Sequence, residues 1–380
     1  MLKLEKIPAA VSFDGAAFED HAARMAARPE RLAALRARAE EAMKKEPFAV
    51  VRRGIRAKTG NPHDYSSFGP YWWRNPRTEN GQPYVRRDGE VNPESVDENT
   101  FDAMYGRVET LTLAAYYLGC PAYAEEAVRQ IRVWYLDPDT AMTPHMDYAQ
   151  AIPGICPGRG IGIIDSREAF RLFDAMALLD AAGLLPDDVK DGMREWYTKF
   201  LGWLLTSENG ADECRQHNNH GTWYDVQAAA AAEFLGRPML RDNILRSAYD
   251  RRLLRHVQYD GSQPYELART KALSYSAMNA VGLGFLVRMA QRTCCVFEFA
   301  EARTPGFPGG KPLFRAAADY LAPYARSMDG FPYPQIDGTV PTSQICRVLM
   351  TASAAYGDGG LRAKAEALLT DDMQWALLPV

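Results

Sequence analysis

The densest group of polar side chains in this 380-residue sequence lies in RQHNNHGTWYDVQ, residues 215–227. Just before an apolar, alanine-rich stretch typical of a helix, it contains His217, Asn218, Asn219 and His220. The amino end of a helix attracts anions because its free N–H groups and its dipole point outward, and amide and imidazole side chains add hydrogen-bond donors. The segment therefore predicts a site that can hold a carboxylate.

Two other interpretations of this segment stay open. Asn218 or Asn219 could simply cap the helix while the histidines lie at the surface, although capping accounts for only one of the two asparagines. His217 and His220 could belong to a zinc site because they are three residues apart, but no carboxylate or third histidine stands at a supporting spacing. We therefore expect chemistry that uses no metal and no other cofactor.

A second polar group lies in YELARTKALSYSAMN, residues 265–279. An otherwise apolar helical face is interrupted there by Glu266, Arg269, Tyr275 and Asn279. Tyr275 and Asn279 share a face, since they are four residues apart. Arg269 lies about 120° round an ideal helix from Tyr275, so both reach one cleft only if the helix begins irregularly near Arg269. A buried pair of Arg269 and Glu266 beside a core tyrosine is the structural alternative.

Helices must position these side chains, because helical periodicity dominates the sequence and strand patterns are nearly absent. Residues 18–45 show apolar side chains at steps of three and four residues. Further helices, with errors of about two to four residues at each end, are predicted over 97–118, 122–136, 166–182, 187–207, 220–235, 239–257, 266–291, 312–328, 343–356 and 359–370.

A weak internal repeat arranges these helices as hairpins. Residues 116–135 parallel residues 233–252, each with an LGxP turn between two helices, and GLLP at 183–186 is a looser copy. Glycine ends the first helix and proline starts the second, which suits a tight turn between antiparallel helices. The first helix is apolar on all sides and the second is charged on one face, which predicts an inner layer wrapped by an outer one.

Long segments rich in glycine and proline connect some of the helices, at 58–93, 137–165 and 303–342. Loops of this length are usually functional. They favour an all-α fold in which the hairpins close into an incomplete α/α toroid with long loops at its mouth, with an open solenoid as the alternative. We expect one catalytic domain over 1–380, with a helical arm at about 15–58 and a loop-rich lid at about 59–95.

Composition excludes several classes of partner. The net charge is −4 and the basic residues form no long run, so neither nucleic acid nor an anionic membrane is expected as a partner. An anionic substrate would need a local basic cleft. No CxxC pair occurs, and small buried side chains are the expected role of the cysteines, which are Cys120, Cys156, Cys214, Cys294, Cys295 and Cys346. The oligomeric state stays undetermined.

Several of these segments together resemble the alginate-lyase superfamily of polysaccharide lyases. The first likeness is HNNHGTWYDVQ followed by ELARTxxLxYSxxN, and others lie in the loop segments at 60–76 and 83–93, in 147–170 and in DAMALL at 174–179. The resemblance covers most of the chain. It implies an α/α toroid in which an Asn–His pair and an arginine contact the substrate while a tyrosine transfers protons. The matching positions are Asn219, His220, Arg269 and Tyr275.

These residue types suit β-elimination on a 1,4-linked uronate polymer, either alginate that contains mannuronate or a glucuronan. The C5 proton becomes removable once the neighbouring carboxylate is neutralised, a task for Asn219, His220 and Arg269. Tyr275 can then take that proton and protonate the departing O4 when both lie on one face of the sugar, as in mannuronate and glucuronate. For guluronate, His220 would act from the opposite face. The choice of polymer, and endo or exo action, stay open.

Further substrate contacts are predicted outside this set. Tyr65 and one of the pair Trp72–Trp73 could stack on the apolar faces of sugar rings. The resemblance alone suggests Gln150 and Arg167. The remaining members of the predicted binding set are His217, Asn218, Glu213 and Asn279.

Two other functions and the location stay open at this stage. An α/α-barrel glycoside hydrolase would use Glu213 and Glu266 as its carboxylates, and a non-catalytic polysaccharide-binding protein would need only the cleft. The first twenty residues lack the apolar stretch of a secretory leader, so we expect a soluble chain. The resemblance suggests a periplasmic or secreted protein whose leader has been removed, and a cytoplasmic location is the alternative.

Overall fold

The computed structural model describes residues 1–293, 297–306 and 309–379, so Cys294 and Cys295 lie outside the described residues. The helices are α1 (Phe18–Ala26), α2 (Pro29–Met43), α3 (Phe101–Leu118), α4 (Pro121–Tyr135), α5 (Phe170–Ala181), α6 (Asp187–Thr206), α7 (Glu208–Arg215), α8 (Asn219–Phe234), α9 (Pro238–Ala248), α10 (Leu254–His256), α11 (Pro264–Leu267), α12 (Ala272–Gln291), α13 (Leu313–Leu321), α14 (Thr342–Tyr356) and α15 (Gly359–Glu366). The strands are β1 (Ser66–Phe68), β2 (Trp72–Trp73), β3 (Val85–Arg86) and β4 (Tyr148–Ala151). The predicted all-α class is confirmed.

The chain forms two compact units. The first comprises Met1–Asp212, Phe234–Gly236 and Gln374–Pro379, and the second comprises Glu213–Glu233 and Arg237–Met373. The single domain expected from the sequence stays a prediction. Both polar segments singled out above belong to the second unit.

In the first unit, helix α3 packs against α2, α4 and α5 and is buried along nearly its whole length. Helix α4 buries one face, which carries Ala127, Ile131 and Trp134. This difference confirms the predicted inner and outer helices of the hairpin. Two small sheets accompany them, a parallel pair of β1 and β4 and an antiparallel pair of β2 and β3.

In the second unit, helix α12 is the central element and packs against α9, α11, α13 and α14. A glycine in α12 brings it close to α8, because a Cβ on Gly282 would lie 2.9 Å from Cγ2 of Thr222. Nearly every residue of α8 is buried, as expected for an inner helix. No helix among the described residues is long and apolar enough to span a membrane.

The hairpin turns have the conformation that the repeat predicts. Gly119 has a φ of 67° and its N–H donates to the carbonyl of Ala115, after which Pro121 starts α4. Gly236 also has a φ of 67°, and Pro238 starts α9. A positive φ is open to glycine at little cost, which explains its place at the end of the first helix.

Some predicted helix bounds were wrong. The helix expected over 18–45 is divided into α1 and α2, because a proline disfavours helical backbone at the residue before it and Arg28, before Pro29, has a φ of −112°. The helix expected over 166–182 begins only at Phe170, after a 3-10 segment at Gly160–Ser166. Helix α7 was not predicted, since its ENGADECR sequence has few apolar residues.

Substituting two glycines in the first unit tests these backbone assignments. Gly119→Ala should lower the free energy of unfolding by about 1 kcal/mol, because alanine is strained at positive φ. Gly202→Ala, on the exposed face of α6 where no atom lies within 4 Å of the new methyl group, should raise it by roughly 0.5–1 kcal/mol. Urea unfolding measures the change in the free energy of unfolding for each variant. Changes of the same sign would contradict a left-handed backbone at Gly119 and a helical one at Gly202.

Candidate active site

Asn218 caps the start of helix α8. The side-chain Oδ1 of Asn218 accepts a hydrogen bond of 3.1 Å from the backbone N–H of His220. The capping alternative considered from the sequence is therefore confirmed for this residue. This hydrogen bond fixes the turn from which the next two side chains extend, and the contact of Asn218 with substrate stays a prediction.

The imidazole of His220 contacts a buried carboxylate. Its Nδ1 lies 3.0 Å from Oε1 of Glu213, whose side chain is fully buried, while the His220 side chain is 16% exposed. The prediction that Glu213 contacts the substrate needs correction, because its carboxylate lies inside the protein. Glu213 instead fixes the orientation of the imidazole, a common arrangement that also selects its tautomer.

Asn219 is attached to a second buried carboxylate, that of Glu266. The backbone N–H of Asn219 donates to Oε1, and its Nδ2 donates to Oε2 at 2.8 Å. Both residues are 1% exposed. Burial raises the pKa of Glu266 to about 7, against the lowering effects of the Asn219 hydrogen bonds and of nearby His220 and Arg269.

Arg269 and Tyr275 are brought together by an irregular helix start. Helix α11 ends at Leu267 and α12 begins at Ala272, so Arg269 lies in the turn between them. Its guanidinium carbon lies 4.2 Å from the centroid of the Tyr275 ring. Both side chains are half-buried. The condition stated from the sequence, that the helix begins irregularly near Arg269, is confirmed.

A segment far along the chain clamps this helix start. The side-chain oxygen of Gln335 accepts the N–H groups of Leu273 and Ser274, at 3.1 and 3.3 Å. Lys271 also pairs with Asp337 at 3.0 Å. Sequence reasoning missed this clamp, because a glutamine in a loop gives no local sign of its distant partner.

Two other predicted residues of the second unit differ in their accessibility. Asn279 is fully buried and its Nδ2 donates to Oε1 of Gln263 at 2.7 Å, and its contact with substrate stays a prediction. His217 is exposed, and its ring is nearly parallel to the exposed ring of Tyr265, with centroids 6.1 Å apart.

Among the described residues, no group of three or more His, Cys, Asp and Glu side chains could hold a metal ion.

The remaining predicted residues belong to the first unit, where Tyr65 requires a correction. Its ring is 2% exposed and its hydroxyl donates to Asp165 at 3.2 Å. The guanidinium carbon of Arg53 lies 4.4 Å from the ring centroid. A ring enclosed in this way cannot stack on a sugar.

Trp72 is half-buried, with the guanidinium carbon of Arg159 5.9 Å from its ring centroid, and its stacking role stays a prediction.

Gln150 and Arg167 stay predicted substrate contacts. Gln150 has a φ of 50°, a left-handed conformation that is rare for residues other than glycine. Its side chain donates to Asp165 at 3.1 Å and accepts from Arg159 at 2.8 Å. Strained backbone that is held by several contacts is typical of functional sites. The Arg167 side chain is 30% exposed and lies 3.7 Å from Glu168.

Comparison with known proteins decides the family. The family model described as alginate lyase matches residues 52–327, which is more than half of the chain. The chain belongs to the alginate lyase family. It is therefore a polysaccharide lyase.

Solved structures show the same relationship for this polysaccharide lyase. An alginate lyase from Bacteroides ovatus is 32% identical, with a TM-score of 0.87 over 97% of this chain and 98% of the other. A variant of alginate lyase A1-III complexed with a tetrasaccharide is 15% identical, with a TM-score of 0.55 over 94% and 91% of the two chains, a likeness of fold alone. These neighbours confirm the predicted fold class. A search of the curated proteins gives no match.

A buried ion pair in this lyase supports the segment that carries the Asn–His pair. Asp225 on α8 is fully buried and accepts from Arg252 Nε at 2.8 Å and from Arg251 at 3.0 Å. The other guanidinium nitrogens of Arg252 donate to the carbonyls of Cys214 and Gln216. Arg252 therefore joins Asp225 on α8 to the end of α7 and to the turn that follows it.

Removing that arginine should destabilise the lyase strongly. Arg252→Met leaves Asp225 as an incompletely paired buried charge and should lower the free energy of unfolding by about 3–5 kcal/mol. Arg255→Met, at an exposed position of α10, is the matched control and should change it by less than about 0.5 kcal/mol. Chemical denaturation measures both. Equal stability of the two variants would show that the ion pair does not hold the segment.

Proposed function

We propose that this lyase cleaves a 1,4-linked uronate polymer, alginate containing mannuronate or a glucuronan, by β-elimination and leaves 4,5-unsaturated uronate ends. The observation that carries the proposal is the convergence of Asn219, His220 and Arg269 on Glu266. Asn219 bonds to this carboxylate, and His220 and Arg269 both lower its pKa. Polar and cationic side chains that lie near one buried carboxylate are also suited to bind a substrate carboxylate. The Bacteroides ovatus relative, which is described as an alginate lyase, supports alginate as the polymer.

Neutralisation of the uronate carboxylate is the first task of this site. Proton removal at C5 places negative charge on the carboxylate, so fixed donors aimed at that group lower the barrier. Arg269 supplies a permanent positive charge, and His220 and Asn219 supply polar N–H groups at the start of α8. The helix N-terminus adds its own partial positive charge.

Proton transfer is assigned to the hydroxyl of Tyr275. As a phenolate it takes the C5 proton, and the resulting O–H then protonates the O4 that leaves as the C4–O4 bond breaks. The guanidinium of Arg269, 4.2 Å from the ring centroid, favours the phenolate over the neutral phenol. Because a free tyrosine has a pKa of about 10, we expect a pH optimum on the alkaline side.

A hydrolase is disfavoured by the positions of the carboxylates. Glycoside hydrolysis needs two carboxyl groups facing the scissile bond. Glu213 and Glu266, the two considered from the sequence, are 0% and 1% exposed and are bonded to His220 and Asn219. Each therefore supports a neighbouring side chain and does not face a sugar.

The direct test of the reaction is ultraviolet absorbance from the unsaturated uronate. Polymannuronate, polyguluronate, alginate and glucuronan are incubated separately with the protein, and we expect the absorbance to rise with at least one polymer that contains mannuronate or glucuronate. The rate should be unchanged in the presence of a chelator, because Arg269 and His220 replace a metal in neutralising the carboxylate. New reducing ends without absorbance would contradict β-elimination, and loss of the rate in chelator would contradict metal-free chemistry.

Substitution of Tyr275 tests the proton transfer. Tyr275→Phe keeps the ring but removes the hydroxyl, so kcat should fall by well over tenfold while the protein stays folded. Tyr356→Phe is the matched control, since the Tyr356 hydroxyl donates to the carbonyl of Ala300 at 2.9 Å in the same unit. It should lose about 0.5–1.5 kcal/mol of stability and retain its turnover.

Retention of more than about a tenth of the kcat by Tyr275→Phe would contradict the assignment, since that corresponds to a barrier change below roughly 1.4 kcal/mol.

A further inference from the structure

Helices α11 and α12 are separate in the structure, although the sequence between them favours one continuous helix. The segment 265–281 contains neither glycine nor proline, and one helix was predicted over 266–291. That prediction was wrong, because α11 ends at Leu267 and α12 begins at Ala272. Lys271, which precedes α12, has a φ of −121° and a ψ of 57° and gives the helix no side-chain cap. The break therefore depends on a partner outside the segment.

That partner is a loop which accepts the first N–H groups of α12. The N–H of Ala272 donates to the carbonyl of Pro334 at 2.9 Å. The N–H groups of Leu273 and Ser274 donate to Oε1 of Gln335, at 3.1 and 3.3 Å. In a continuous helix all these groups would donate to carbonyls four residues earlier in the chain. The loop therefore stabilises a helix that starts at Ala272 and competes with a longer one.

The side chain of Gln335 is held in place by its own loop. The carbonyl of Gln335 accepts the N–H of Gly338 at 3.1 Å, which closes a turn, and Gly338 has a φ of 64°. Nε2 of Gln335 donates to Oδ1 of Asp337 at 3.0 Å, and the same oxygen accepts the N–H of Thr339 at 3.1 Å. Because these bonds fix the amide, its Oε1 is presented to α12 at a defined position.

We propose that Gln335 is a positioning residue, which keeps α11 and α12 apart so that Arg269 lies against the ring of Tyr275. On one continuous helix, residues six apart diverge by about 120°, and the two side chains would face different directions. In the structure the guanidinium carbon is 4.2 Å from the ring centroid. The proposal rests on the uronate lyase function proposed above, in which these two side chains act on one sugar.

The loop acts on the backbone between these two side chains. Besides the bonds to the start of α12, the N–H of Ile336 donates to the carbonyl of Thr270 at 3.0 Å. Loss of the Gln335 amide leaves the N–H groups of Leu273 and Ser274 without their acceptor, and extension of α12 toward α11 is the change that satisfies them again. That extension would carry the guanidinium of Arg269 away from the ring.

Gln335→Met tests the proposal, because methionine has a similar length and its sulfur is only a weak acceptor. The kcat on the best polymer should fall by about tenfold to a hundredfold while the protein stays folded. Thr100→Val is the matched control, since it removes the hydroxyl that accepts the N–H of Ala103 at 3.1 Å at the start of α3, in the first unit. It should lose stability by chemical denaturation and keep its kcat. An unchanged kcat in Gln335→Met would overturn the proposal.

Combination with Arg269→Met separates positioning from a general loss of stability. If Gln335 acts through Arg269, the addition of Gln335→Met to the Arg269→Met variant should lower kcat/KM by less than about twofold, because the guanidinium that it positions is already absent. A general loss of stability would instead lower kcat/KM by the same factor with and without Arg269. That outcome would overturn the proposal.

Gln335→Glu is the conservative variant, since a carboxylate also accepts the N–H groups of Leu273 and Ser274 and suits the positive end of a helix. It should keep most of the kcat of the natural protein. A fall as large as that of Gln335→Met would show that the accepting oxygen does not position Arg269, and would overturn the proposal. Failure of the underlying function is distinguishable, because the natural protein would then give no ultraviolet absorbance with any uronate polymer.

Discussion

The attachment of Asn219 to the buried carboxylate of Glu266 is the interaction on which the site depends. It joins the first residue of α8 to the end of α11 by two hydrogen bonds in a region closed to solvent. The residues assigned to carboxylate neutralisation follow directly along the chain from these two positions. His220 is the next residue after Asn219, and Arg269 lies one turn after Glu266, whose carbonyl accepts its N–H at 3.0 Å.

The protein has a net charge of −4, and its proposed substrate is also an anion. The acidic side chains next to the proposed site are buried inside the protein. Glu213 holds His220, Glu266 holds Asn219, and Asp225 holds the arginine that secures the connection between α7 and α8. Each buried acid is hydrogen-bonded to a donor, as the cost of burying charge requires. In the proposed complex the His220 imidazole and the Arg269 guanidinium face the carboxylate of the substrate.

Features that depend on nearby residues were predictable from the sequence. The hairpin turns follow from the glycine and proline at each turn. The irregular start of α12 was the condition, stated from the helical angle between Arg269 and Tyr275, for both side chains to reach one cleft. Features that depend on distant partners were not predictable. Tyr65 and Asn279 have residue types that suit a site, but tertiary packing buries them, and the clamp of Gln335 on α12 joins residues about sixty positions apart. The supporting role of Glu266 also became visible only with Asn219 placed beside it.

A crystal structure of the Tyr275→Phe variant with a bound oligosaccharide, taken from the polymer that the enzyme cleaves fastest, tests the assignment of these side chains. One sugar carboxylate should lie within hydrogen-bonding distance of Asn219 Nδ2, of His220 and of the Arg269 guanidinium, with the C5 hydrogen of that sugar facing the ring at position 275. An oligosaccharide bound with its carboxylates in solvent, or held by basic residues elsewhere in the protein, would contradict this assignment.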